Sequence, residues 1–180
     1  PLSLSIPPGD ATKRCACFHH FDVVTLVEVI EHLHLNDLHQ LVDNVFGHIQ
    51  PRLVIVTTPN ADFNVLFSQM VAGQFRHFDH KFEFNRQQFH HWASQIVEKY
   101  KYTVEFHGVG DAPLYEQYRH LGTCTQIAVF HRIRDNHHPR LQSSVFAERL
   151  SHCQRHELLS FVDYPFGSMK TSEVHEQVQY

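Results

Sequence analysis

Asp22-Val23-Val24-Thr25-Leu26-Val27-Glu28-Val29-Ile30-Glu31-His32 is the stretch that decides the fold. Its first half, to Val27, is a continuous β-branched run, which predicts a buried strand of a parallel sheet. Its second half packs three ligand-type side chains behind that strand. A chain that turns helically at Glu28 places Glu31 and His32 at i+3 and i+4, on the same face. Two carboxylates and an imidazole then converge at the carboxyl end of a strand, where open α/β sheets place their sites. Such a cluster needs a cation or a proton to relieve its repulsion. The spacing alone slightly favours a solvated helix start, where acidic residues favour the positive end of the helix dipole.

Downstream, Leu38, Leu41, Val42, Val45, Phe46 and Ile49 recur at helical spacing, with Asn36 as the expected N-cap and Pro51 just past the end. Leu53 to Thr57 reads as a second buried strand. Strand, helix and strand over this length make a βαβ unit, so the two strands should be parallel. Phe63 to Met70 suggests a short helix, and residues 73–80 a loop of mixed His, Arg and aromatic residues. Asn85 can cap a further helix, in which Phe89, Trp92, Ala93, Ile96, Val97 and Tyr100 form the apolar face and Trp92 reads as core. Tyr102 to Phe106 alternates as a strand, and Thr125 to Phe130 is the last clear one. Gly108-Val109-Gly110 lacks the third glycine of a phosphate loop and reads as a turn.

Upstream, Leu2 to Ile6 alternates as a short strand and Pro7-Pro8-Gly9-Asp10 is turn chemistry. From Arg132 onward periodicity is lost, with an extra strand expected over 156–163 and a frayed polar tail. The division expected is therefore residues 1–135 as one domain and 136–180 as an extension.

Forty-two per cent apolar residues and fifteen Phe in 180 residues support a globular chain with a real core. A net charge of −4, with a pI near 6.5, argues against a nonspecific DNA binder, which carries a strong basic excess. It does not exclude a protein that grips the end of one strand. No apolar run approaches membrane-spanning length. The four Cys form no zinc-type pair and read as reduced thiols of an intracellular protein. Eighteen His give a high background against which any single His is weak. A first residue of Pro rather than Met reads as a fragment.

Glu28-x-x-Glu31-His32 followed by Asp79-His80-Lys81-Phe82-Glu83-Phe84 resembles the small-RNA 2′-O-methyltransferases, which modify the 3′-terminal ribose of small RNAs. Thr57-Thr58-Pro59-Asn60 with Phe63-Asn64 is similar to that family's stretch between the two halves of its site, and Cys124-Thr125-Gln126-Ile127 to its last strand. The likeness runs from about Pro1 to His131. It implies an α/β fold, part of a Rossmann-like class I methyltransferase sheet that is mainly parallel with an antiparallel last strand. It implies a divalent ion, Mg²⁺ or else Mn²⁺ or Co²⁺, held by Glu28, Glu31, His32 and His80, with Glu28 and His32 catalytic. His77 competes with His80 as the fourth ligand, and Asp79 is a candidate support for the site. Arg76, His77 and Lys81 are candidates for the terminal phosphate; a charged loop in water accounts for them equally well.

The same resemblance implies S-adenosylmethionine as cofactor, with Asp10 touching its adenosine in place of a residue that is often Ser. Its implied partners are the single-stranded 3′ end of a small RNA and an Argonaute- or Piwi-class protein presenting it. The implied location is the cytoplasm, including ribonucleoprotein granules. The chain departs from the family pattern in lacking the acidic-x-Gly-x-Gly cofactor loop. Two other classes are therefore carried beside the first: a metal-dependent hydrolase, and a noncatalytic module that binds RNA ends.

Overall fold

The computed structural model describes residues 2–5, 10–15, 18, 21–68, 70, 73–111, 116–133 and 161–164. It divides into two units, residues 11–138 on one hand and residues 1–10 with 139–180 on the other. In the second unit β1 (Leu2–Ser5) pairs antiparallel with a strand over Phe161–Tyr164. That strand overlaps the end of the one expected over 156–163. The expected turn at residues 7–9, residues 156–160 and the polar tail lie outside the described residues.

In the larger unit β2 (Val23–Val27), β3 (Leu53–Pro59), β4 (Tyr102–Asp111) and β5 (Thr123–Arg132) form one sheet in the order β2-β3-β5-β4. β2 and β3 are parallel, from Val23 opposite Leu53 to Val27 opposite Thr57. β5 is antiparallel to both of its neighbours. Thus β2, β3 and β4 point one way and β5 runs against them, the α/β arrangement expected.

β2 departs from its reading in one respect. Val23 and Val27 are 45% and 59% exposed, while Leu26 between them is buried. The strand is at the end of the sheet and packs its core on one face only. A β-branched run looks the same in sequence whether one face is covered or two.

Helix α1 (Leu35–Val42) connects β2 to β3 and widens into a π-helical stretch over Asp43–Ile49. Its N-cap is His34 rather than Asn36, because His34 already has an extended backbone and Asn36 lies inside the first turn. Leu38, Leu41, Val45 and Phe46 are buried, as their spacing requires. Phe46 meets the rings of Tyr102 and Phe130 edge-on, at centroid distances of 5.1 and 4.9 Å. The Tyr102 hydroxyl donates to Pro51 O at 2.6 Å, and burial pushes its phenol above the ordinary range.

Helix α2 (Arg86–Lys99) begins with a capping box: Asn85 Oδ1 accepts from Gln88 N, and the Gln88 side chain accepts from Asn85 N. It buries Phe89, Trp92, Ala93 and Ile96, so Trp92 is core.

The short helix expected over 63–70 is a 3₁₀ turn over Ala61–Leu66, capped by Asn60, whose side chain accepts from Asp62 N. The glycines at 108 and 110 are not a turn; both lie inside β4. A Cβ on Gly108 would sit 1.9 Å from Thr123 Oγ1, and Gly110 has φ +76°. Close approach to β5, rather than chain reversal, is what glycine serves there. Cys15 is disulfide-bonded, against the reading of all four thiols as reduced, and Cys124 is free. Among the described residues no helix is long and apolar enough to cross a membrane.

Candidate metal centre

The chain breaks sharply where β2 ends. Glu28 is in the left-handed region at φ +51°, a conformation that costs a non-glycine residue on the order of 1–3 kcal/mol. The helical turn expected to begin at Glu28 therefore starts later, as a 3₁₀ turn over Ile30–His32. β3 holds the kink. The Glu28 N–H donates to Thr57 O at 3.2 Å and to Thr57 Oγ1 at 3.1 Å. That hydroxyl in turn donates to Glu28 Oε1 at 2.9 Å, leaving the side chain exposed.

Glu31 differs from Glu28 in burial and partner. It is fully buried, its Oε2 accepts from Thr58 Oγ1 at 2.9 Å, and its Oε1 has no hydrogen-bond partner among the described residues. Burial pushes its carboxyl above the usual carboxylate range, and the negative Glu28 adds to this. Its own backbone N–H, the Thr58 hydroxyl and His32 pull in the opposite direction without prevailing. A buried carboxylate oxygen with no donor is a costly group unless something positive meets it.

The second half of the site comes from the loop before α2. The Lys81 N–H donates to Glu31 O at 2.7 Å and so ties that loop to the 3₁₀ turn. His32, His77 and His80 gather there, with ligand nitrogens within 4.8 Å of one another. The rings of His32 and His80 have centroids 4.8 Å apart. This mutually close group is three imidazoles, whereas the expected set has two carboxylates and two imidazoles. Glu28 and Glu31 stand outside it because each is turned to a threonine hydroxyl at the end of β3. Both remain near: Glu31 feels the charges of Glu28 and His32.

The imidazoles differ in what holds them. His32 Nδ1 lies 3.2 Å from Asp79 Oδ2, and His80 Nδ1 lies 2.6 Å from Glu83 Oε1. Both rings thus turn Nδ1 to a carboxylate. His77 Nδ1 instead accepts the Asp79 N–H at 3.2 Å. A neutral ring accepting at Nδ1 carries its proton on Nε2, so the outer nitrogen of His77 is a donor.

Asp79 is held below the ordinary carboxylate range, first by its hydrogen bond from Lys81, at 3.0 Å. Arg76 spends its side-chain donors on its own chain. Its Nε donates to Asn64 Oδ1 at 2.5 Å, one terminal nitrogen to Cys124 O at 3.0 Å, and the other to Asn60 O. Beyond Glu83 a cleft of about 420 Å³ opens between Asn64, Val65 and Phe75. Asp10, expected at the cofactor, is exposed and belongs to the other unit. Glu83, Thr57 and Thr58 were not singled out as site residues, although all three lie inside the quoted motifs. Glu83 follows His80 by three residues, and that spacing was the available signal.

No protein-family model matches the chain. It is similar to the small RNA 2′-O-methyltransferase of Xenopus tropicalis, 41% identical over 131 residues, which cover 73% of this chain and 34% of the relative. The Drosophila melanogaster protein of the same name is 40% identical over 136 residues, again 73% of this chain and 34% of the relative. The crystal structure of the small RNA methyltransferase HEN1 matches with a TM-score of 0.65 at 35% identity, over 76% of this chain and 17% of that one. The chain spans about a third of the length of the curated relatives it matches. By sequence and by fold together, the chain belongs to the small RNA 2′-O-methyltransferase family.

Proposed function

We propose that this chain supplies the acceptor side of an S-adenosylmethionine-dependent methyltransferase acting on the 2′-hydroxyl at the 3′ end of a small RNA. In this reading a divalent cation is carried by Glu28, Glu31, His32 and His80. The observation that carries it is the buried Glu31 Oε1 without a donor, next to a second carboxylate and two imidazoles whose Nδ1 atoms are turned to carboxylates. Carboxylate with imidazole and no thiolate suits Mg²⁺, Mn²⁺ or Co²⁺. When bound, such an ion would hold the 2′- and 3′-hydroxyls of the terminal ribose and lower the pKa of the attacking one.

The chain's own groups divide the work by exposure. Glu31 and His80 are the buried anchors, and Glu28 and His32 face the solvent from which the ribose arrives. Glu28 and His32 are therefore the catalytic members, positioned by Thr57 and Asp79. The cleft beyond Glu83 has a size that suits a nucleoside. Asp10 is the residue assigned to the adenosine of the methyl donor. Presentation of the RNA by an Argonaute- or Piwi-class protein, and action in the cytoplasm, belong to the same proposal.

The test uses the chain itself. Mn²⁺ is titrated by calorimetry, and the loaded protein is then offered short RNAs ending in a 2′,3′-diol, a 2′-deoxy or a 3′-deoxy ribose. Mn²⁺ should tighten binding of the diol at least about tenfold and leave both deoxy ends nearly unchanged, since each lacks one arm of the chelate. Equal tightening of the 3′-deoxy end would refute chelation. Cleavage of a phosphate ester by the Mn²⁺-loaded chain would turn the assignment to a hydrolase.

A further inference from the structure

We infer that Glu83 is a positioning residue that fixes the tautomer of His80, and that it does so because two other donors already engage both of its oxygens. The Asn64 Nδ2 group donates to Glu83 Oε2 at 2.6 Å, and the Arg76 backbone N–H donates to Glu83 Oε1 at 2.6 Å. The third group is His80 Nδ1, also 2.6 Å from Oε1. The Glu83 side chain is 1% exposed, so water does not supply an alternative partner. Each Glu83 oxygen is thus already engaged as an acceptor, one by Asn64 and the other by Arg76. A lone pair on His80 Nδ1 facing Oε1 at this distance would be repulsive, so the ring proton is on Nδ1 and the lone pair is on Nε2.

The orientation of Asn64 follows from the same logic. Its Oδ1 accepts from Arg76 Nε at 2.5 Å, and a guanidinium only donates. The amide nitrogen is therefore what faces Glu83. Arg76 is itself held by the carbonyls of Asn60 and Cys124. The tautomer of His80 is thus set by a chain of groups, each with one permitted role. No neutral side chain of the same shape fits at 83. A glutamine has one acceptor oxygen and one donor nitrogen, and in either orientation its amide nitrogen meets a donor.

The contrast with the other imidazole sharpens the inference, which rests on the metal reading given above. His32 has Asp79, which is half exposed and shared with Lys81. His80 has a buried, fully engaged partner. Glu83 should therefore matter more than Asp79 for metal affinity.

The experiment has two readouts. The ¹⁵N shifts of His80 in the metal-free protein report its tautomer, and calorimetry with Mn²⁺ reports affinity. Wild-type His80 should be the Nδ1–H form; an Nε2–H form would overturn the inference whatever any variant does. Glu83→Gln should mix the tautomers and weaken Mn²⁺ binding about 10–100-fold, the usual cost of losing a partner of a metal-bound histidine. Asp79→Asn should cost less. In a His80→Ala background, Glu83→Gln should cost nothing further, which separates action through His80 from a loosened fold. Additive losses in that double variant would overturn the inference. A wild-type chain that binds no Mn²⁺ yet shows the Nδ1–H form would sink the metal reading and leave the tautomer assignment standing.

Discussion

Glu31→Gln is the substitution that best separates the cost of the site from its use. In the metal-free protein the Glu31 carboxyl is raised above its ordinary value by burial, so the folded state binds a proton that the unfolded state has already released. The sign follows from linkage. A raised folded pKa gives stability that is whole below the unfolded pKa, near 4.5, and is lost as pH rises through the folded one. Across that window wild type should lose up to about 1.4 kcal/mol per pH unit relative to Glu31→Gln, which has no proton to release. Mn²⁺ reverses the ordering, because it requires the carboxylate. At a hundredfold excess over Kd it should stabilise wild type by about 2.7 kcal/mol. For a chain of this length that is a rise in Tm of roughly 5–11 °C. The assay is urea unfolding of both proteins from pH 4.5 to 8, with and without Mn²⁺. Parallel metal-free curves for the two would show that the buried carboxyl is not what titrates, and the account of Glu31 would fail.

Three further outcomes are expected. His80→Ala should weaken Mn²⁺ or Co²⁺ binding at least about tenfold by calorimetry, and His77→Ala by much less; the reverse order would transfer the ligand role to His77. Asn85→Ala removes the cap of α2 and should lower stability by about 1 kcal/mol, seen as a fall in Tm of about 2–4 °C without change in metal affinity. Gly108→Ala puts a Cβ where Thr123 Oγ1 already is and should destabilise by about 1–3 kcal/mol in urea melts; an unchanged midpoint would contradict the close approach of β4 and β5.

The helices were legible because each shows a single apolar face, and because Asn85 and Gln88 spell out a capping box within four residues of chain. The strand direction was legible for a similar reason: a helix between Val27 and Leu53 obliges β2 and β3 to be parallel. What was not legible depends on residues distant in sequence. Gly108 looks like turn chemistry until Thr123 is placed against it. The run from Val23 to Val27 reads as buried until β2 is found at the end of the sheet. At the site, the motifs name Glu28, Glu31, His32 and His80. They do not say that Glu28 ends exposed on Thr57 and Glu31 buried on Thr58. That divergence comes from one left-handed residue and from two successive threonines on another strand. The role of Glu83 was hidden too, since its three partners come from positions 64, 76 and 80.

The place of β5 has a consequence for how the chain is made. β3 finds its second neighbour only in residues 123–132, and β4 is joined to the sheet only through that same strand. A ribosome working at about 5–20 residues per second therefore leaves one edge of β3 without a partner for several seconds after it emerges. During that interval Val54 and Val56, which end up fully buried, have a sheet that is unfinished on one side. Pairing over such a span also carries a large loop-closure cost, so it comes late and slowly. The insertion of β5 is thus the expected rate-limiting step of folding, and nascent chains stalled before residue 123 should be the ones that recruit chaperones.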